Sequence, residues 1–256
     1  MSRNARPRRS DDPLYALIME LNEDRYRIFD REAYRIWLNV SESRQMVKRA
    51  IGRYEPEKFA AIRDSLKPGG TFLDIGGNKG DFALFAAALV GPEGRVVCFE
   101  PHPENAGWIR KSVELNRFNH VAVEELALAD RNGEAPLNIG GKSGQHSFEA
   151  RRHDRGAVQV QTMTLDHYAE TAGLARIDAI KIDVEGAEDL VIAGADRVLA
   201  RARPVLFLDA HDIGGERLAA LTERLLASGY RISELESGAA VRDLEADGDY
   251  VLRIPA

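Results

Sequence analysis

Apolar positions fall first at helical spacing and later in short runs. Leu14, Leu17, Ile18 and Leu21 share one helical face, Tyr26, Phe29, Ala33, Ile36 and Trp37 continue it, and Val47, Ile51 and Phe59 follow. This pattern predicts an N-terminal helical cap over 13–66, behind a polar, disordered tail at 1–12. Lys67-Pro68-Gly69-Gly70 is a turn and the clearest boundary in the chain. Beyond it, apolar runs at 72–75, 96–100, 121–126, 179–183 and 205–209 read as strands, and 82–90, 104–116, 187–199 and 217–227 read as helices. Further strands are expected at 135–139 and 158–162, a helix at 165–172, and a closing β pair from 230–234 and 250–254. The alternation predicts an α/β, Rossmann-like domain over 67–256, with a mostly parallel central sheet, helices on both faces and the N-terminal helices as an extension.

Composition narrows the function. The 256 residues are 44% hydrophobic and 30% charged, ordinary for a globular chain, and the net charge of -6 argues against a general nucleic-acid binder. Arg3, Arg6, Arg8 and Arg9 make the tail basic, a feature read as solvated rather than as a docking arm. Cys98 is the single cysteine, so no intrachain disulfide forms and a reducing compartment is expected. No run approaches the ~20 apolar residues of a membrane span, and no apolar segment follows the arginines as in a secretory signal. The cytoplasm is the default location.

The chemistry concentrates at Phe72-Leu73-Asp74-Ile75-Gly76-Gly77-Asn78-Lys79-Gly80, followed one βα unit later by Val97-Cys98-Phe99-Glu100-Pro101. A strand that ends in a carboxylate and glycines before a helix delivers a nucleotide-like ligand to the helix N-terminus. A dinucleotide fingerprint requires G-x-G-x-x-G, but Asn78 and Asp81 stand where the second and third glycines belong. A carboxylate at Asp74 would repel a phosphate. The spacing Asp74-x-Gly76-x-x-x-Gly80 suits a ligand with a cationic amino-acid end, such as S-adenosylmethionine. Glu100, twenty residues past Gly80, is placed to take ribose hydroxyls. Read structurally, the same glycines make only a tight βα turn.

Ligands of open α/β sheets sit beyond the carboxyl ends of strands. Polar groups recur at these edges, at Glu100-Pro101-His102, Ala129-Asp130, Asp183-Val184-Glu185-Gly186 and Asp209-Ala210-His211-Asp212. The segments resemble the FkbM family of S-adenosylmethionine-dependent methyltransferases. The resemblance runs over about 70–212 and is carried by the glycine turn, by Phe99-Glu100-Pro101-His102-Pro103-Glu104-Asn105, by Ala127-Leu128-Ala129-Asp130, and above all by Ile180-Lys181-Ile182-Asp183-Val184-Glu185-Gly186-Ala187-Glu188. It implies that Asp74, Gly76, Gly77, Asn78 and Gly80 line the methionine end of the cofactor. It further implies that Glu100 binds the ribose with Pro101 bracing the turn, and that Ala129 and Asp130 border the adenine. Gly77 departs from a common alanine, and Asp209 from a common glutamate.

Methyl transfer to a hydroxyl needs alignment and a base. His211 is the candidate base and Asp183, also counted among the cofactor-side residues, its orienting partner. Glu185, His102 and His146 are weaker candidates. No metal ligand is assigned, although Asp183, Asp209, His211 and Asp212 compose an oxygen-rich set that would suit Mg²⁺. The expected partner is a small-molecule acceptor (a metabolite, sugar or polyketide-type hydroxyl), with no nucleic acid and no membrane, and homo-oligomerisation is left open. N-methyl transfer, a nicotinamide-dependent oxidoreductase, RNA methylation and a non-catalytic cofactor-binding scaffold are the alternatives.

Overall fold

The computed structural model describes residues 26–140, 156–211 and 213–255. The tail at 1–12, the first part of the N-terminal stretch, His146 and Asp212 lie outside them. The described chain opens with β1 (Arg27–Asp30), β2 (Arg35–Leu38), α1 (Arg44–Ala50) and α2 (Pro56–Ser65). Next come β3 (Thr71–Ile75), α3 (Asp81–Val90), β4 (Arg95–Phe99), α4 (Pro103–Asn116), β5 (Val121–Glu124), β6 (Ala127–Leu128) and β7 (Gly133–Asn138). β8 (Ala157–Met163), α5 (Leu165–Thr171), β9 (Ala179–Ile182), α6 (Glu188–Ala193), α7 (Asp196–Ala202) and β10 (Val205–Ala210) follow. α8 (Gly215–Ala227), β11 (Arg231–Glu234), β12 (Ala240–Val241) and β13 (Gly248–Arg253) complete it.

The main sheet has eight strands in the order β12-β11-β13-β10-β9-β3-β4-β5. From β10 to β5 every pairing is parallel, whereas β13 runs antiparallel between β10 and β11. This is the expected Rossmann-like α/β arrangement, including the closing pair. The central strands are buried on both faces, and their side chains alternate between two cores. Leu73, Ile75, Val97, Ile180, Ile182, Leu206 and Leu208 pack with α5 to α8, while Phe72, Val96, Cys98 and Phe207 pack with the N-terminal segment and α3. A three-stranded sheet, β6-β8-β7, stands apart. Among the described residues no helix is long and apolar enough to cross a membrane.

Two expectations need correction. The stretch from Tyr26 to Trp37 is not helical, because β1 and β2 form an antiparallel hairpin pairing Arg27 with Leu38 and Asp30 with Arg35. Ile36 and Leu38 alternate inward from β2 into the core. The outer edge of β2 is satisfied by helix α4: Asn116 Oδ1 accepts from Arg35 N–H at 2.7 Å, Asn116 Nδ2 donates to Arg35 O at 2.6 Å, and Ser112 Oγ accepts from Trp37 N–H at 3.1 Å. The helix expected over 187–199 is also interrupted. Gly194 O accepts from Asp166 N–H at 2.9 Å, and the chain restarts as α7 with Asp166 Oδ1 accepting from Val198 N–H at 2.8 Å.

The segment before β3 is held by charge as well as by its apolar residues. Arg49 of α1 pairs with Asp81 at the start of α3, Lys58 of α2 meets Asp209 of β10 at 2.5 Å, and Glu42 meets Lys79 at 2.9 Å. Phe59 of α2 packs on Phe82 and, edge-on, on Phe85 of α3. Removing one partner of a buried pair strands the other, which typically costs about 3–5 kcal/mol.

Candidate active site

From β3 the chain moves through α3 to β4 and β5; later it enters β9 on the opposite side of β3. Loops leaving β3 and β9 therefore diverge and open a crevice at the carboxyl ends of the strands. A cavity of about 910 Å³, open mouth included, lies there. One set of lining residues is apolar: Ile75, Phe99, Leu126, Leu128, Leu137 and Val184. The other is polar and comes from both halves of the chain: Gln45, Tyr54 and Glu55 before β3, then Asn78, Glu100, Asn105, Asp183, Glu185 and His211.

The turn after β3 is tied to β4, because Gly76 N–H and Gly77 N–H both donate to Phe99 O at 3.0 Å. Gly76 has φ 78°, and a Cβ there would collide with the Asp183 carbonyl across the crevice, so glycine lets the two loops approach. A Cβ on Gly77 would collide with Cys98 Sγ. Glycine in place of the common alanine thus goes with a cysteine beneath it.

Glu100 lines the cavity at the end of β4 and is 4% exposed. Its Oε2 accepts from Asn78 N–H at 2.6 Å and its Oε1 from His102 N–H at 2.8 Å. Burial pushes its carboxyl up to about 7, against the pull of those two N–H groups and of Lys79 and Lys181. The apolar residues beside Glu100 and Pro101 suit a flat heterocycle next to a ribose, and the polar residues suit its charged end. The donor set therefore fits a nucleoside with an amino-acid tail.

Several residues implied by the resemblance are not at the cavity wall. Asp74 is fully buried below the turn, where its Oδ2 accepts from Ala83 N–H at 3.0 Å and its Oδ1 lies 3.5 Å from Lys181 Nζ. It anchors the first turn of α3, and burial raises its pKa. Gly77 and Gly80 stand behind Gly76 and Asn78, against Cys98 and Ile109. Ala129 and Asp130 are also outside the lining, which uses Leu126, Ala127 and Leu128 instead. Past β6, Ala129 N–H donates to Met163 O at 2.9 Å, and Asp130 is exposed.

Asp183 and His211 do come together. One ligand atom each from Asp183, Asp209 and His211 lies within 4.8 Å of the others. Burial alone would raise Asp183, but Lys181, Lys58, His211 and Arg49 hold it below the usual carboxylate range. Asp209 goes the other way, pushed well up by burial and by Asp183, Asp249 and Glu55 against the pull of Lys58. The cluster already has counter-charges, with Lys58 at Asp209 and Lys181 Nζ 3.5 Å from Asp183 Oδ2. His211 Nδ1 is also 3.7 Å from Asp247 Oδ1.

Sequence reasoning gave no role to Lys181, Lys58, Gln45, Tyr54 or Glu55. Lys181 is a brace: its Nζ donates to Gly76 O at 2.7 Å and links β9 to the glycine turn. A lysine inside an apolar strand was the available signal for it. Glu185 lines the cavity, and the loop cap is supplied by Glu188, whose Oε1 accepts from Val184 N–H at 3.0 Å.

Residues 74–232 match the methyltransferase FkbM domain. The 2-O-methyltransferase NoeI of Sinorhizobium fredii is 34% identical over 154 residues, covering 54% of this chain and 62% of that protein. The 31-O-demethyl-FK506 methyltransferase FkbM of Streptomyces tacrolimicus is 29% identical over 181 residues, covering 59% of this chain and 68% of that protein. The matched part thus spans about three fifths of the length of the first relative. The solved methyltransferase FkbM from Methylobacillus flagellatus KT is 16% identical, with 81% of this chain and 52% of that one covered and a TM-score of 0.49, a likeness that adds nothing to the topology above. The domain match reaches from the end of β3 through β11, well over half of the sequence, and the chain belongs to the FkbM methyltransferase family.

Proposed function

We propose that the protein is an S-adenosylmethionine-dependent methyltransferase acting on a hydroxyl oxygen of a small metabolite, sugar or polyketide-type acceptor. The observation that carries this reading is the cavity at the strand ends, with Glu100, Gly76 and Asn78 among its lining and Asp183 and His211 also facing it. Family membership supports methyl transfer, and the name of the 2-O-methyltransferase relative supports oxygen as the acceptor atom.

Bound S-adenosylmethionine supplies a methyl group already activated for transfer. Glu100 accepts hydrogen bonds from the ribose diol, and the apolar residues Phe99, Leu126, Leu128 and Leu137 exclude water around the base. Asn78 and the Gly76 backbone bind toward the amino-acid end. His211 takes the proton from the acceptor hydroxyl as methyl transfer proceeds, and Asp183, held ionised by Lys181, orients the imidazole or the hydroxyl. Gln45, Tyr54 and Glu55 are the acceptor-side wall.

A screen of hydroxylated acceptors with methyl-labelled cofactor tests the reaction, and mass spectrometry of the product locates the methyl. His211→Ala is expected to leave cofactor affinity unchanged and to lower turnover about 10²–10⁴-fold, the usual worth of a general base. Unchanged turnover would remove His211 from the mechanism.

A further inference from the structure

Lys58 is 1% exposed, although it lies in the segment before the family-matched residues. Burying an ammonium costs several kcal/mol, and an apolar side chain of the same length would anchor α2 without that cost. Its Nζ sits 2.5 Å from Asp209 Oδ2, 2.7 Å from Glu55 Oε2 and 3.6 Å from Asp249 Oδ1. Two of these partners bear on the cavity: Glu55 lines it, and Asp209 is clustered with the lining residues Asp183 and His211. Asp209 Oδ1 is buried with no hydrogen-bond partner among the described residues, so Lys58 provides the main fixed contact of that carboxylate.

We propose that Lys58 is a positioning residue of the reaction centre: from α2 it fixes the Asp209 carboxylate beside Asp183 and His211, so that the N-terminal segment completes the site. The inference rests on the methyltransferase reading above. Charged groups reach Asp209 from every side: Lys58 from α2 and Glu55 just before it, Asp249 from β13, Lys181 and Asp183 from β9 and the loop after it, and His211 past the end of β10. Of these only Lys58 makes direct contact with Asp209. Without it, Asp209 either takes up a proton or stays ionised and stabilises the His211 imidazolium. In both cases the active state of the centre is reached only at higher pH.

The test compares Lys58→Met, Lys58→Arg, Asp209→Asn and the double variant Lys58→Met/Asp209→Asn, each checked for folding by thermal melting and for cofactor affinity by calorimetry. Lys58→Met is expected to move the acid limb of the kcat/KM profile upward by about one pH unit or more, the usual effect of losing a charge partner at this range. Lys58→Arg should restore the profile. In the Asp209→Asn background, Lys58→Met should move the limb clearly less, since only its direct pull on Asp183 is left to lose. The double variant removes both buried charges and keeps the comparison available if the single variant fails to fold. An unmoved acid limb in folded Lys58→Met, or an equal effect of Lys58→Met with and without Asp209, would overturn the proposal. Carboxyl ¹³C titration of Asp209 needs no acceptor and should move upward in Lys58→Met. If the unsubstituted protein methylates nothing, the functional reading fails, whereas this titration still decides whether Lys58 governs Asp209.

Discussion

Protonating Glu100 should loosen the cofactor. Its carboxyl is buried and pushed up to about 7, and it faces the cavity where the ribose diol is proposed to sit. Between pH of about 8 and about 6 the ionised fraction falls from roughly nine-tenths to one-tenth. If the ribose hydroxyls donate to the ionised form, affinity drops about tenfold over that interval, or about 1.4 kcal/mol. Calorimetric titration with S-adenosylhomocysteine measures it directly. Near pH of about 7, binding should release roughly half a proton, visible as a dependence of the heat on the buffer's ionisation enthalpy. Glu100→Gln should bind more weakly and lose the slope, which separates Glu100 from the titration of the ligand's own amino group. A wild-type affinity that is flat across the interval, or a slope that survives in Glu100→Gln, would refute the reasoning. For the ligand-free fold the sign reverses. The folded pKa lies above the unfolded one, so ionisation costs more in the folded state, and stability falls as pH rises from about 4.5 through about 7. The ceiling is about 3 kcal/mol, and Glu188, also pushed up to about 7 by burial, acts in the same direction.

Gly77→Ala is expected to destabilise the protein by about 1–3 kcal/mol through the clash with Cys98, and Cys98→Ala should relieve part of that loss in a double-mutant cycle followed by urea unfolding. Arg49→Met should cost about 3–5 kcal/mol, because Asp81 would be left fully buried without its partner, again read from urea midpoints. Dialysis against EDTA is expected to leave methyl transfer intact; a loss that Mg²⁺ restores would turn Asp183, Asp209 and His211 into metal ligands.

The sheet and the two loops that make the crevice were readable because their signals are local. The apolar runs, the turn at Lys67-Pro68-Gly69-Gly70 and the acidic strand ends need only neighbours in sequence. The hairpin at β1 and β2 was not, since Phe29, Ala33, Ile36 and Trp37 satisfy helical spacing equally well and what fixes the extended form is the side of α4, some 75 residues away. The placement of Asp74 has a similar cause: in a strand buried on both faces, sequence does not say whether a carboxylate lines the cavity or meets the next helix. The pairing of β6 with β8, which sets where Ala129 and Asp130 leave the strand, is likewise announced by no local pattern. Lys58 and Asp209 are separated by 151 positions, so their contact is a product of the tertiary fold alone.

The three ionic rivets between the leading segment and the sheet, Arg49–Asp81, Lys58–Asp209 and Glu42–Lys79, make the cooperative body larger than the stretch recognisable by descent. Chimeras that graft another relative's opening segment onto this sheet must carry complementary charges at all three seams, or they will bury solitary ions. Diversification of the acceptor wall is thereby tethered to the sheet: Tyr54 and Glu55 vary only within a frame that still seats its neighbours, Arg49 and Lys58.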